Sequence, residues 1–124
     1  MGKSIKVILL KANGEASYED FTDLKDYQEA VGGYIEIVGP TRGGITLPHK
    51  FVMVVNDEGI LKRLPTNDIA SIICRHGVIA GDVALVKEGI VDDGVDFVDC
   101  THMEMIDVMG VINKIKDVLK LIKK

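Results

Sequence analysis

Phe51-Val-Met-Val-Val55-Asn-Asp-Glu-Gly-Ile-Leu-Lys-Arg-Leu64 is the stretch that decides how this chain folds. Its first five residues are aromatic, β-branched or linear apolar types that suit a pleated backbone, and they predict a strong strand. Asn56-Asp-Glu-Gly59 is turn chemistry, so residues 60–64 are expected to pair back as a hairpin. Working outward, Tyr34-Ile-Glu-Ile-Val38 is a strand that precedes it across the loop Gly39-Pro-Thr-Arg-Gly-Gly44. Val78-Ile-Ala-Gly-Asp-Val-Ala-Leu-Val86 is a strand that follows it, with Gly81-Asp82 read as a bulge or bend. Residues 5–10 open the chain as a strand, and Asn13-Gly14 supplies the positive φ of a hairpin turn into a second short one.

Three segments carry helical signals. From about residue 20 or 22 to residue 31, Phe21, Leu24, Gln28 and Val31 share one face while Asp23, Asp26 and Glu29 lie outward, and Gly32-Gly33 ends the run. Pro65-Thr-Asn-Asp68 reads as a cap leading into a short helix at 69–74. An acidic, glycine-containing connector at 88–99 is followed by Thr101-His-Met-Glu104, a capping box. It opens a C-terminal helix in which Met105, Val108, Ile112, Ile115, Leu119 and Ile122 recur at alternating spacings of three and four. Gly110 weakens that helix and leaves room for close approach of another backbone. The expected class is α+β: a mostly antiparallel sheet with two or three helices on one side, including the C-terminal amphipathic helix. Residues 1–98 form the body, and 99–124 form a helix that packs on it or meets its twin in a homo-oligomer, within one domain overall.

A chain of 124 residues, 47% hydrophobic, has enough core to fold without staples. Two cysteines fit a reducing cytoplasm better than a disulfide framework. The apolar run after Lys6 is closed by Lys11, which is too short for a secretory leader or a membrane span. A cytoplasmic protein without a membrane partner is expected. Residues 113–124 carry five lysines against one aspartate, so the rest of the chain holds net −8 of the overall −4. So acidic a body repels phosphate backbones, and six aromatic residues leave little for base stacking, which excludes a nucleic-acid polymer as partner.

Gly33-Tyr-Ile-Glu-Ile-Val38, Val54-Val-Asn-Asp-Glu-Gly-Ile-Leu61, Leu64-Pro-Thr-Asn67, Ala70 and Ile79-Ala-Gly-Asp82 occur in that order. This string, within residues 5–88, resembles an uncharacterised family of small proteins carried by phages, plasmids and conjugative elements of bacteria. The resemblance implies a mobile-element accessory protein with no assigned chemistry. By analogy with other small proteins of such elements, it implies a counter-defence role in which a signalling nucleotide is sequestered.

Two constellations carry candidate chemistry. Gly39-Pro-Thr-Arg-Gly-Gly44 offers amides that can converge on an anion, and Arg42 adds a guanidinium fork. No Lys-Ser or Lys-Thr follows, so this is not a nucleotide-hydrolysing loop. Arg42, Gly43 and Gly44, helped by Arg63, Asn67 and Arg75, are the expected ligand-binding residues for an anionic small molecule. Asn67 is also the natural cap of the short helix. Cys74-Arg-His76 and Cys100-Thr-His102 repeat a Cys-x-His pattern, and two such pairs on extended backbone would give zinc two sulfurs and two nitrogens. Against zinc, Cys74 suits a small buried hydrophobe, and His102 falls where helical backbone should begin. No nucleophile elbow and no His-Glu-x-x-His motif is present, so the chain is expected to be a non-enzyme needing no cofactor, zinc aside. The competing expectation is a module that binds a host protein and is stabilised by zinc or oligomerisation.

Overall fold

The structure is a computed structural model that describes residues 4–39, 44–75, 77–92 and 94–122. The chain runs through β1 (Ile5–Leu10), β2 (Ala16–Phe21), α1 (Leu24–Val31), β3 (Ile35–Val38), β4 (Phe51–Asn56), α2 (Asp68–Cys74), β5 (Val83–Val91), β6 (Gly94–Val98) and α3 (His102–Ile122). A 3₁₀ turn, Pro48–Lys50, leads into β4. Every strand pairing is antiparallel, in the order β2-β1-β5-β4-β3, with β6 also on β5. The fold class is α+β, as the residue pattern predicts.

β5 organises the sheet because it is long enough to hold two partners along one edge. Val83–Leu85 pair with β1, Lys87–Val91 pair with β6, and β4 occupies the opposite edge. The segment expected as an acidic connector is therefore a hairpin, formed by the second half of β5 and all of β6. Ile90, Val91, Val95, Phe97 and Val98 are the β-branched and aromatic residues that bring it into the sheet. The strand expected at 78–86 instead starts at Val83, after Gly81 bends the chain at φ +92°. Residues 60–64 do not pair back. Hydrogen bonds Lys62 N to Glu58 O and Leu64 N to Gly59 O coil them into successive turns, and Ile60 and Leu61 face solvent.

The helices lie on both faces of the sheet, not on one. Alternation along β4 sends Phe51, Met53 and Val55 to one face and Val52 and Val54 to the other, so both faces are apolar and both need cover. α2 and α3 cover the first face, where Ile69, Ile73, Met105, Val108 and Ile112 pack on Ile8, Leu10, Met53 and Leu85. α1 covers part of the second, through Tyr27, Ala30 and Val31 rather than Leu24, which is left 46% exposed. An Asp23–Asp26 capping box opens α1, and Gly32, at φ +84°, ends it.

The first two-thirds of the α3 seam belong to the core of this chain. Met105, Val108, Ile112 and Ile115 are buried, and sealing a side chain the size of Ile112 contributes about 2 kcal/mol. Beyond them the helix outruns the sheet, and Val118, Leu121 and Ile122 stand exposed. The capping box forms as expected: Glu104 N donates to Thr101 Oγ1 and Thr101 N to Glu104 Oε1, at 3.1 and 2.9 Å. No helix among the described residues is long and apolar enough to cross a membrane.

Candidate functional site

Gly39 and Ile45, which flank the glycine loop, meet α2, and a hollow opens beside their junction. Ile45 N donates to Ile73 O at 2.9 Å, and the Cys74 thiol lies 4.0 Å from the Gly39 carbonyl oxygen, so both flanks of the loop are tied to the last turn of α2. The hollow has a volume of about 620 Å³. Ile45, Ile72, Val78 and Leu119 form apolar walls, while Thr66, Asp68, Ser71 and Arg75 supply its polar atoms. Ser71 is structural within this set: its hydroxyl donates to Asn67 O at 2.8 Å and accepts from Ile79 N at 2.9 Å. Arg75 caps α2 in the left-handed conformation, at φ 54°, and turns the chain at the edge of the hollow. Because α2 ends here, its carbonyl pole repels a negative charge. An anionic group would have to sit on the guanidinium side, with an apolar body against the walls.

The expected ligand-binding residues separate accordingly. Arg75 lines the hollow, and Gly44 immediately precedes its wall residue Ile45. Arg42 and Gly43 lie outside the described residues. Arg63 sits in the turns after β4, at φ 55°, and does not line the hollow. Asn67 is not available to a ligand. It is 1% exposed, its Nδ2 donates to Leu10 O and Gly81 O at 3.1 Å each, and its Oδ1 accepts from Ala70 N at 3.1 Å. Both hydrogens of its side-chain amide join α2 to β1 and the Gly81 bend, and its oxygen caps the helix.

Among the described residues, the expected zinc ligands do not come together. The Cys100 thiol faces the Lys6 carbonyl at 3.7 Å, at the start of β1, while Cys74 faces Gly39 at the end of α2. His102 stands edge-on to Tyr18, with ring centroids 6.1 Å apart. His76 lies outside the described residues. Among the described residues no group of three or more His, Cys, Asp and Glu side chains converges on a point. Burial, with Asp99 and Glu104 next, pushes the Cys100 thiol up, the opposite of what a metal-bound or nucleophilic thiolate needs. The two cysteines approach different strands: Lys6 lies on β1 and Gly39 just beyond β3, with β5 and β4 between them.

Tyr27 escaped the sequence reading. It is 5% exposed, and its buried hydroxyl has no hydrogen-bond partner among the described residues. The signal was the i, i+4 spacing of Tyr27 and Val31, which sets the inward face of α1 one residue away from Leu24 and Gln28.

Fold and site together define an α+β protein with a preformed hollow of ligand size. The family model of DUF3846, a domain of unknown function, matches residues 5–112, and the chain belongs to that family. The match runs beyond residue 88, so it takes in the capping box and the buried half of α3. No curated protein matches the sequence. Among solved structures, the chain is similar to the crystal structure of the small RNA methyltransferase HEN1, at 16% identity and a TM-score of 0.59. The likeness covers 86% of this chain and 16% of that one, and it concerns the fold alone.

Proposed function

We propose that this chain is a non-catalytic, cytoplasmic binding protein of a mobile genetic element of phage, plasmid or conjugative type, and that it holds a small anionic molecule in the hollow beside Arg75. The observation that carries this reading is the hollow itself. At about 620 Å³ it falls within the range of small-molecule sites, and its walls are apolar with a few polar groups at one side. A nucleotide fits that chemistry, with its base against Ile45, Ile72, Val78 and Leu119 and its phosphate on Arg75. Sequestration of a host defence signal is the role that the mobile-element resemblance suggests.

The test is a thermal-shift and equilibrium-dialysis panel of linear and cyclic mono- and dinucleotides on the full chain. At least one should raise the melting temperature, and Arg75→Gly, which keeps the left-handed cap without strain, should abolish the shift. A panel without any shift, or one indifferent to Arg75→Gly, overturns the reading.

A second reading is supported by α3. Val118, Leu121 and Ile122 are exposed on the helix that also carries Leu119 to the hollow, and this apolar end suits a second copy or a host protein. In that case sedimentation of the purified chain shows a dimer that Leu121→Asp dissociates.

A further inference from the structure

On its α2 side the hollow at Arg75 is lined by Asp68, Ser71, Ile72 and Arg75. These positions are spaced i, i+3, i+4 and i+7, so they form one stripe down a single face of the helix. Asp68 is the first residue of α2 and Arg75 is its C-cap, two helical turns on, which at a rise of about 1.5 Å per residue sets them about 10 Å apart along the axis. Between them Ile72 is 36% exposed, and the Ser71 hydroxyl is turned back to Asn67 O and Ile79 N. The stripe is therefore acidic at one end, apolar in its middle and basic at the other end.

Opposite charges at opposite ends restrict what can fill the hollow. A phosphate is drawn to Arg75 and repelled by Asp68, so the far end of an anionic ligand must present hydrogen-bond donors to a carboxylate that only accepts. Each carboxylate oxygen has two lone pairs, so Asp68 can accept from a ligand beside any bond it makes within the chain. A ligand whose poles lie close together, such as an α-amino acid, does not span the stripe. A nucleoside monophosphate does, because a sugar separates its phosphate from the hydrogen-bonding edge of its base. Among the common bases guanine alone sets two donors side by side, N1–H and the N2 amine, to match the two oxygens of a carboxylate. Adenine would aim its N1 lone pair at Asp68, cytosine its N3 lone pair, and uracil offers a single N3–H between two carbonyl oxygens.

Resting on the reading of this hollow as a site for an anionic molecule, we propose that its ligand is a guanine nucleotide and that Asp68 is the residue that selects the base. The phosphate lies on the Arg75 guanidinium and the base packs on Ile72 and Val78. N1–H and the N2 amine donate to the Asp68 carboxylate as a charge-assisted pair, stronger than the same bonds to a neutral acceptor. Thr66 lines the hollow ahead of α2 and brings a hydroxyl that can donate to the base's O6.

Equilibrium dialysis of the full chain against GMP, IMP, AMP and XMP tests this. GMP should bind about tenfold or more tighter than AMP, because a site built to pair with a donor rejects the analogue that lacks it. IMP, which keeps N1–H and lacks the N2 amine, should fall between them. Asp68→Asn keeps the shape of the side chain but offers one acceptor and one donor, the complement of xanthine's N1–H and O2 carbonyl. The variant should lose the preference for GMP and gain affinity for XMP, a change of rank that a merely structural aspartate would not produce. AMP binding as tightly as GMP, or Asp68→Asn leaving the rank unchanged, overturns the guanine assignment. If Arg75→Gly abolishes binding in that case, the anion site itself stands. Failure of all four nucleotides to bind overturns both. The rank order on the natural chain decides the proposal even if a thermal melt shows Asp68→Asn to be unfolded.

Discussion

Glu104, in the first turn of α3, lies 2.6 Å from the Lys87 ammonium on β5. The same carboxylate accepts from Thr101 N through its other oxygen and lies 3.5 Å from His49 Nδ1, while His49 Nε2 lies 2.7 Å from Asp107 Oδ2. One side chain thus closes the helix cap and pins the helix to the middle of the sheet. It also joins both to the 3₁₀ turn ahead of β4.

This arrangement makes acid stability depend on Glu104. The Lys87 hydrogen bond, then the Thr101 amide, hold its pKa down from 4.5 to about 2. A depressed folded-state pKa means stabilisation that is fully present above the unfolded value and is lost as pH falls through the folded one. Glu104→Gln keeps the cap but removes the charge. Its melting temperature should lie below that of the natural chain at pH 7, and the two curves should converge as pH falls from 4.5 to about 2. Parallel curves across that window would refute the role assigned to this pair.

Asn67→Ala should destabilise the chain by about 2–4 kcal/mol, combining a lost cap with unsatisfied carbonyls at Leu10 and Gly81. Asn67→Asp keeps the acceptor for Ala70 N but has no donor for those carbonyls, so it should not rescue. Urea unfolding of the two variants measures both.

The glycines at 59 and 110 should respond in opposite directions. A Cβ on Gly59 would meet the Ala80 carbonyl oxygen at 2.6 Å, and a backbone atom cannot swing aside. Gly59→Ala should therefore cost about 1–3 kcal/mol. A Cβ on Gly110 meets nothing within 4 Å, so Gly110→Ala should stabilise α3 by about 1 kcal/mol. A loss of stability there, seen in a thermal melt, would show that another backbone packs against α3 in an oligomer.

Aspartate substitutions along α3 should divide at residue 115. Ile112 is fully buried within this chain, so Ile112→Asp should abolish folding, read as loss of the cooperative melt. Leu121 is 71% exposed, so Leu121→Asp should leave the melt of the monomer intact. It reports only on association.

Local chemistry is what the chain declares by itself. Gly32 as a helix stop, Asn67 as a cap, Thr101 with Glu104 as a capping box and Gly81 as a bend are each readable because a cap or turn is a contact between near neighbours. The buried half of the α3 seam is readable for the same reason: its repeat lies along one helix. Tertiary structure alone decided the rest. Nothing local distinguishes the turns that residues 60–64 form from a returning strand, because the edge they would need lies elsewhere in the chain. The acidic stretch at 88–99 becomes a hairpin only because β5 outruns β1 and leaves an edge for β6. Cys74 and Cys100 look alike in sequence, yet the sheet places one against Gly39 and the other against Lys6. The hollow at Arg75 joins residues far apart in the chain, and such a site exists only where packing brings distant surfaces together.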